Sequence, residues 1–220
     1  MTQQLPPEQR RAALEALAAE VRACDRCPLH AAGRTNAVPG AGDHAAEIMF
    51  IGEGPGFNED RQGLPFVGQS GKLLDELLSL IGMRRAQVFI TNVVKCRPPE
   101  NRDPLPEEIS TCTQAYLYRQ IELIAPKVIV TLGRFSMGLF FPNAKITQIH
   151  GRAKWENGRA YLPLYHPAAV LRNMESLKPQ MEADFRQIPQ LLAEWASRQS
   201  AAAPESPPPP AEPPQQLSLF

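Results

Sequence analysis

The sequence of 220 residues has no excess of either charge, since 23 Lys and Arg balance 23 Asp and Glu. A polyanion-binding protein with this balance must gather its basic residues on one face. No apolar run approaches the ~20 residues that span a bilayer, and residues 1–11 lack the apolar core of a signal peptide. The sequence therefore indicates a cytoplasmic protein without a membrane partner.

Cysteine is scarce, and the cytoplasm keeps thiols reduced, so the few that occur are expected to serve metals or catalysis rather than disulfides. A C-x2-C pair, a distant third cysteine and a fourth account for all of them: Cys24, Cys27, Cys96 and Cys112. Four thiolates suit tetrahedral zinc or a 4Fe–4S cluster, and the spacing alone slightly favours zinc. The alternative of four unrelated buried thiols is disfavoured by the C-x2-C pair and by the adjacent cations Lys95 and Arg97.

Short β-branched apolar runs alternate along the chain with segments in which apolar residues recur at helical spacing. The predicted strands are Ile48 to Ile51, Val88 to Val94, Val128 to Leu132 and Tyr161 to Tyr165. The predicted helices are Glu8 to Val21, Lys72 to Ile81, one that begins at Pro106, and Met181 to Trp195. This alternation predicts an α/β fold with three layers, α/β/α, around a central, mainly parallel four-stranded sheet.

The composition changes after Ser197, because seven of the last 20 residues are proline. Such a segment cannot build a packed core and favours an extended, semi-rigid chain. We therefore predict one folded domain over residues 1–196 and a disordered Pro-rich tail over residues 197–220.

Ligands of a parallel α/β sheet gather beyond the carboxyl ends of its strands, and polar residues lie at those ends here. Three glycines follow the first predicted strand together with the carboxylates Glu53 and Glu59. Asn92 lies late in the second strand, His166 follows the fourth, and Phe66 is an aromatic residue shortly after the first loop. Each has an ordinary structural interpretation by itself, but their common position at strand ends favours a functional site.

The motifs at these strand ends resemble those of the family 4 uracil-DNA glycosylases, the iron–sulfur branch of that superfamily. The resemblance extends from about Cys24 to Asn173. It rests on Gly52-Glu53-Gly54-Pro55-Gly56 with Glu59-Asp60, Gly63-Leu64-Pro65-Phe66-Val67-Gly68, Thr91-Asn92-Val93-Val94-Lys95-Cys96-Arg97-Pro98-Pro99 with Asn101-Arg102, and His166-Pro167-Ala168-Ala169. It implies a monofunctional enzyme of base excision repair that flips uracil out of DNA and hydrolyses its N-glycosidic bond, leaving an abasic site.

The same resemblance implies how the base would be bound. Phe66 would stack on the flipped ring and recover part of the cost of unstacking it. Asn92 would read the Watson–Crick edge, whose donor and acceptor pattern inverts between uracil and cytosine. Backbone N–H groups around Glu53 and Gly54 would hold a carbonyl oxygen, and Gly52 joins Gly54 among the substrate-binding residues.

The resemblance also implies the catalytic residues. His166 would donate a hydrogen bond to the developing uracil anion, and Glu53 or Glu59 would position water or stabilise the cationic sugar. Gly54 and Gly56 stand where classical uracil glycosylases carry an Asp and a Tyr. Water activation must therefore come from another residue, and a Tyr does not explain the exclusion of thymine.

Apolar and basic residues near the same loops are candidates for contacts with DNA. Val170 and Leu171 could wedge into the duplex where the base has left, with inward packing as the alternative for each. The cations that flank the loops could contact phosphates, with a solvated surface as the alternative; they are Lys95, Arg97, Arg102 and Arg172.

For the cysteines, the resemblance favours a 4Fe–4S cluster over zinc, because their positions match the cluster ligands of the family. Such a cluster would tie the N-terminal helix to the loop after Asn92, which is a structural role.

The last five residues resemble the short peptide by which bacterial proteins dock on the DNA polymerase sliding clamp. The anchoring positions are Gln216, Leu217, Leu219 and Phe220. Leu and Phe on a polar tether make physical sense when a groove receives them. The expected partners are thus uracil-containing DNA and the clamp, for a monomer that works in the cytoplasm at the bacterial nucleoid.

Two other classes of protein remain as alternatives. An iron–sulfur DNA-binding accessory protein of the replication machinery, without glycosylase activity, would also explain the cysteines and the tail. An iron–sulfur electron carrier would require flavin or nicotinamide motifs, which the sequence does not show.

Overall fold

The computed structural model describes residues 5–202, without the side chains of 201 and 202, and six strands of this range form one sheet. The strands are β1 Ala41–Gly42, β2 Ile48–Gly52, β3 Phe89–Asn92, β4 Val128–Leu132, β5 Lys154–Glu156 and β6 Arg159–Leu164. Their order across the sheet is β1-β3-β2-β4-β6-β5. The four inner strands run parallel, and the two short edge strands pair antiparallel with their neighbours.

The α-helices of the described range connect these strands and cover both faces of the sheet. They are α1 Pro7–Arg22, α2 Phe57–Gln62, α3 Gln69–Leu80, α4 Pro106–Cys112, α5 Tyr118–Ile124, α6 Arg134–Gly138, α7 Ile146–Ile149, α8 Pro167–Arg172, α9 Met174–Phe185 and α10 Ile188–Ala202. A π-helical turn, Thr113–Leu117, joins α4 to α5.

The central strands divide their side chains between two hydrophobic cores, because consecutive strand residues point to opposite faces. Ile48 and Phe50 of β2 enter the core formed with α3, α8, α9 and α10. Met49 and Ile51 enter the core formed with α1 and the α4–α5 segment. Phe50 stacks on Phe185 of α9 with ring centroids 5.7 Å apart. The predicted three-layer α/β/α fold is therefore confirmed.

The order of the strands creates a crevice at the carboxyl edge of the sheet. The chain passes from β2 to β3 on one side and then returns to place β4 on the other side of β2. Loops that leave neighbouring strands in opposite directions open a gap outside the carboxyl ends, which is where open α/β sheets bind ligands.

The structure corrects the prediction in three places. The sheet has six strands rather than four, because the short strands β1 and β5 extend the parallel core. The helix predicted over Met181 to Trp195 is two helices, and Pro189 lies in the first turn of the second, where its missing backbone N–H leaves no helical hydrogen bond unmade. Helix α10 continues to Ala202, past the predicted boundary at residue 196, and the first proline of the tail comes only at Pro204.

Between residues 5 and 202, no helix is both long enough and apolar enough to cross a membrane.

Candidate active site

A cavity of about 630 Å³ opens at the carboxyl ends of the four parallel strands. Every one of these strands, or the loop after it, contributes to its wall. The sequence-predicted residues that line it are Glu53, Gly54, Glu59, Phe66, Asn92, Arg102, His166 and Arg172. Residues spread over 120 positions of sequence thus meet at one place, as the common strand-end position predicted.

Gly52, at the end of β2, supports two of these side chains. A Cβ at Gly52 would lie 2.4 Å from Asn92 Oδ1 and 2.7 Å from Phe66 Cζ. Both distances are far below ordinary contact, so any other residue here would displace the two side chains. Gly52 is therefore a position that makes room for Phe66 and Asn92, and it does not itself line the cavity wall.

The amide of Asn92 lies in the cavity wall with an unused acceptor. The residue is 1% exposed, and its Oδ1 is buried with no hydrogen-bond partner. A buried carbonyl oxygen without a donor costs roughly 1–3 kcal/mol, so native structures rarely keep one without a reason. A ligand that brings an N–H donor into the cavity would remove this cost.

Phe66 is buried in a backbone conformation that bulky residues seldom adopt. Its φ is 53°, in the left-handed region, and its side chain is 5% exposed. The ring centroid lies 5.8 Å from that of His166 at an interplanar angle of 30°. An aromatic ring is thus held against the wall of the cavity at a cost in backbone strain.

Contacts on both sides of the Phe66 backbone hold this conformation. Arg85 donates from Nη1 to the Pro65 carbonyl at 2.7 Å and from Nη2 to the Phe66 carbonyl at 2.6 Å. Glu59 Oε1 accepts from the backbone N–H groups of the two residues that follow Phe66, each at 2.9 Å. A Cβ at Gly71 would lie only 1.8 Å from the Phe66 carbonyl oxygen, so α3 can approach this loop only with glycine there.

His166 stands at the start of α8 in a defined tautomer. Its Nδ1 accepts the backbone N–H of Ala168 at 3.1 Å, which leaves the ring proton on Nε2. Burial lowers the pKa of His166 to about 4, with a smaller contribution from the charge of Arg172 and an opposing one from Glu59. The residue is therefore a neutral N–H donor at physiological pH, on a side chain that lines the cavity.

The two predicted acids have different surroundings. Burial raises the pKa of Glu53, as does the carboxylate of Asp103, while Arg134 lowers it. Asp103 and Arg134 form an ion pair at the rim of the cavity. Glu59 instead uses one carboxylate oxygen to hold the loop that follows Phe66. Burial thus acts on the Glu53 carboxyl group, whereas Glu59 holds the backbone of the loop after Phe66.

The prediction that Lys95 contacts phosphate is wrong. The residue is 1% exposed, and its Nζ donates to Thr91 Oγ1, the Asn92 carbonyl and Gln120 Oε1 at 2.6 to 2.7 Å. Burial lowers the pKa of Lys95 to about 8. Its ammonium group fixes the end of β3, and so the backbone of Asn92, from behind.

The structure separates the two predicted wedge residues. Val170 is fully buried in the core shared with α3, so the prediction that it enters the duplex is wrong and the inward alternative holds. Leu171 is 37% exposed beside the cavity residue Arg172, and its role as a wedge stays a prediction. Arg97 lies at the surface with its Nε donating to Asn101 Oδ1 at 2.7 Å, and its phosphate contact also stays a prediction.

Sequence reasoning missed residues that only the fold brings to the cavity. Arg85 lies 19 residues beyond Phe66, and no local pattern links the two. Tyr165, at the end of the fourth predicted strand, lines the cavity and packs on the His150 ring with centroids 4.6 Å apart. His150 in turn bonds Asp184 at 2.7 Å. An aromatic residue at a strand end was the one signal that could have indicated Tyr165.

The four cysteines surround a second, small cavity on the face of the sheet that α1 and the α4–α5 segment cover. Arg26, Lys95 and Tyr116 also line this cavity. Two of the sulfurs accept from buried or partly buried donors: Arg34 Nη1 lies 3.0 Å from Cys96 Sγ, and the Lys95 backbone N–H lies 3.3 Å from Cys112 Sγ. Within residues 5–202, no three Cys, His, Asp or Glu side chains are arranged to hold a metal ion. The donors fit thiolate sulfurs that carry negative charge.

The predicted clamp-binding residues lie outside the described range: Gln216, Leu217, Leu219 and Phe220.

The fold and the cavity define an α/β protein with a site for a flat, hydrogen-bonding ring. The site combines a fixed aromatic ring, a buried amide, a neutral imidazole donor and a carboxylate with a raised pKa. The sequence model of the Uracil DNA glycosylase superfamily matches residues 39–189, which include every one of these groups. The chain belongs to that superfamily.

Curated relatives are similar over most of their length. The type-4 uracil-DNA glycosylase of Sulfurisphaera tokodaii is 50% identical over 81% of this chain and 84% of its own. The type-4 enzyme of Archaeoglobus fulgidus is 46% identical over 81% of this chain and 92% of its own. That of Thermotoga maritima is 47% identical over 73% and 84%. The solved structure of Pedobacter heparinus SMUG2 aligns at 13% identity with a TM-score of 0.39, over 73% of this chain and 77% of that one, a likeness too low to argue from.

Proposed function

We propose that the chain is a uracil-DNA glycosylase that binds a flipped uracil in the strand-end cavity and hydrolyses the bond between uracil N1 and the sugar C1′. The products are free uracil and an abasic site. The observation that carries the proposal is the unpartnered Oδ1 of Asn92 in the same cavity as the neutral His166 donor. The relatives named type-4 uracil-DNA glycosylase support the choice of base.

Asn92 gives the site its preference for uracil. Uracil presents an N3–H donor beside the O4 acceptor, and an amide pairs with both at once. Cytosine presents an N3 acceptor beside N4–H donors, so Asn92 Oδ1 and the cytosine N3 lone pair would repel each other. Because Oδ1 is buried, bound cytosine would leave it without a hydrogen bond. The free-energy cost of that unpaired acceptor would make cytosine bind much more weakly than uracil.

His166 stabilises the leaving group. As the C1′–N1 bond breaks, its electron pair moves onto the uracil ring and its carbonyl oxygens. A neutral N–H donor placed at such an oxygen stabilises the charge as it develops, without a full proton transfer. The hydrogen bond from Ala168 to Nδ1 fixes the ring so that the Nε2 proton is the one offered.

Glu53 acts on the sugar and on the attacking water, whereas His166 acts on the leaving uracil. Loss of uracil leaves positive charge on the sugar, and the ionised Glu53 carboxylate both stabilises that charge and orients the attacking water. The water oxygen forms the new bond to C1′, and its proton passes to the carboxylate. The raised pKa of Glu53 makes it a better base than an exposed glutamate.

The test is strand cleavage of labelled oligonucleotides that contain one uracil, after alkali treatment to break abasic sites. We expect cleavage by the wild-type protein and a loss of at least about a hundredfold in rate for His166→Ala, the size of effect that one such donor contributes. His44→Ala is the matched control, because His44 follows β1 near the start of β3, at the opposite edge of the sheet.

Absence of cleavage by intact, folded protein would refute the proposal and would favour the non-enzymatic DNA-binding accessory. Equal loss in the two histidine variants would also contradict the role given to His166. Mass spectrometric detection of free uracil separates base release from nuclease action.

We further propose that the four cysteines hold a 4Fe–4S cluster. A cluster takes one thiolate on each iron, so its ligands surround a volume rather than converge on a point. The shared cavity and the N–H donors to Cys96 and Cys112 support this assignment. When bound, the cluster would serve to link α1, the loop after β3 and α4. Chemical analysis of iron and sulfide should give four of each per chain, and Cys112→Ser should lower both; zinc without sulfide would refute the assignment.

We also propose that the last five residues bind the sliding clamp. The support comes from the sequence alone, since a Pro-rich segment ends in Leu and Phe anchors. Deletion of residues 216–220 should abolish clamp binding in a pull-down while activity on oligonucleotides stays unchanged. Unchanged clamp affinity would refute it.

A further inference from the structure

Phe57 is an exposed aromatic residue directly after Gly56, which lines the cavity. It begins α2 and is 52% exposed, and no other aromatic side chain described in the structure is classed as exposed. Its near neighbours in sequence, Gly56 and Glu59, both line the cavity. Single exposed apolar residues are common and need no explanation, so the surroundings of the ring decide its meaning.

Two cations lie against this ring. The guanidinium carbon of Arg61, one turn along α2, is 5.6 Å from the ring centroid. That of Arg97, from the loop after β3, is 5.3 Å away. Arg97 is also tied to the cavity, because its Nε donates to Asn101, and Asn101 lines the wall. Helix α2 and the loop after β3 thus bring positive charge to one aromatic ring.

An aromatic ring with adjacent cations is the combination by which proteins bind single nucleic-acid strands. Bases stack on the ring whatever their sequence, while guanidinium groups meet the phosphates between them. A nucleotide whose base has entered the cavity carries the strand on either side of it across the rim. Phe57, which directly follows the cavity-lining Gly56, is therefore close to the path of a neighbouring nucleotide.

We propose that Phe57, Arg61 and Arg97 form a subsite for the nucleotide next to the flipped uracil, with its base packed on Phe57 and a phosphate held by the two guanidinium groups. The subsite rests on the proposed function, because the strand is held there by the base in the cavity. It extends that function, because the enzyme would bind the flanking nucleotide through contacts that do not require a duplex.

The first test removes the ring and the flanking base in turn. Phe57→Ala should raise KM on a single-stranded uracil oligonucleotide by about tenfold, from the value of one base–aromatic stack, with kcat nearly unchanged. Oligonucleotides with a tetrahydrofuran residue in place of the base 5′ or 3′ of uracil identify the nucleotide involved. On the oligonucleotide that lacks the base normally stacked on Phe57, wild type and Phe57→Ala should have the same KM, because neither protein can form that stack.

Leu80→Ala is the matched control, since Leu80 is also exposed, at 40%, but lies at the far end of α3 and lines no part of the cavity. Arg61→Gln should reduce the salt dependence of DNA binding by about one phosphate contact, whereas Arg11→Gln on α1 should leave it unchanged. Arg61 is chosen because Arg97 adjoins Cys96.

Two results would overturn the subsite. The first is an unchanged KM for Phe57→Ala on single-stranded substrate while the wild type is active. The second is a tenfold effect that stays the same on both base-deleted oligonucleotides, which would assign Phe57 to the fold rather than to the flanking base. Failure of the proposed function is a different result, because then the wild-type protein releases no uracil.

Discussion

Arg85 is the residue whose removal best tests how the Phe66 ring is held in the cavity wall. It does not itself line the cavity, yet it donates to the carbonyls of Pro65 and Phe66 at 2.7 and 2.6 Å. Replacement by Met keeps the length of the side chain and removes both donors. The Phe66 backbone, at φ 53°, then loses the contacts that offset its strain.

The magnitude follows from these contacts. A hydrogen bond from a charged donor contributes about 1.5–3 kcal/mol. Because Arg85 is partly exposed, each of its two bonds to the carbonyls is expected near the lower limit of that range. The left-handed conformation of Phe66 costs about 1–2 kcal/mol, so loss of the clamp is enough to let the loop relax. We expect Arg85→Met to reduce transition-state stabilisation by about 1.5–3 kcal/mol. This loss corresponds to a fall in kcat/KM of roughly ten- to a hundredfold.

The assay compares kcat/KM for uracil release with the inhibition constant of free uracil. The inhibition constant reports stacking on Phe66 without any chemistry, so it should rise along with the loss of kcat/KM. Asp75→Asn is the control, because Asp75 pairs with Arg85 Nε at 3.0 Å but its carboxylate is 53% exposed. An exposed ion pair contributes little, and this variant keeps both carbonyl bonds, so its kcat/KM should change by less than about threefold.

An Arg85→Met protein with wild-type iron content and circular dichroism, and with both constants within about twofold of wild type, would refute this reasoning. Equal losses in Arg85→Met and Asp75→Asn would assign the effect to the surface ion pair instead of the backbone clamp.

Three further predictions concern single groups. The imidazole of His166 should stay neutral and protonated on Nε2 at pH 6 and gain its second proton only near pH 4, because burial disfavours the cation; nitrogen NMR of the ring would show this, and a midpoint near 6.5 would contradict it. Asn92→Asp should lower single-turnover uracil release by at least about tenfold, because a carboxylate cannot donate to O4; an unchanged rate would remove Asn92 from base recognition. Lys95→Met should lower the free energy of unfolding by about 1–3 kcal/mol. It should leave the salt dependence of DNA binding unchanged, because Lys95 is buried; a reduced salt dependence would show that Lys95 does contact phosphate.

The sequence predicted the parallel core and most of the cavity wall because both depend on local patterns. Each inner strand lies in a short, mainly apolar run; Glu53 and His166 directly follow such runs, and Asn92 ends one. Strand ends of a parallel sheet share one edge, so local assignments were enough to bring these residues together. The short edge strands have no such pattern, since β1 is only two residues long, Ala41–Gly42.

What the sequence could not show are the contacts that decide the role of each residue. Lys95 and Arg97 are two cations of the same motif, yet one is buried under Gln120 and the other is at the surface. Val170 and Leu171 are adjacent and apolar, and the turn of α8 alone decides which one faces the core. Neighbours in a helix or loop point in different directions, so composition cannot assign them.

Gly54 and Gly56, which replace the Asp and Tyr of classical uracil glycosylases, have a physical reason in this structure. A Cβ at Gly54 would lie 2.8 Å from Val94 Cγ2, and one at Gly56 would lie 2.7 Å from Glu59 Oε2. A side chain at position 56 would therefore displace the carboxylate that holds the loop after Phe66. The space that a Tyr would need is already taken by the carboxylate that positions the loop after Phe66.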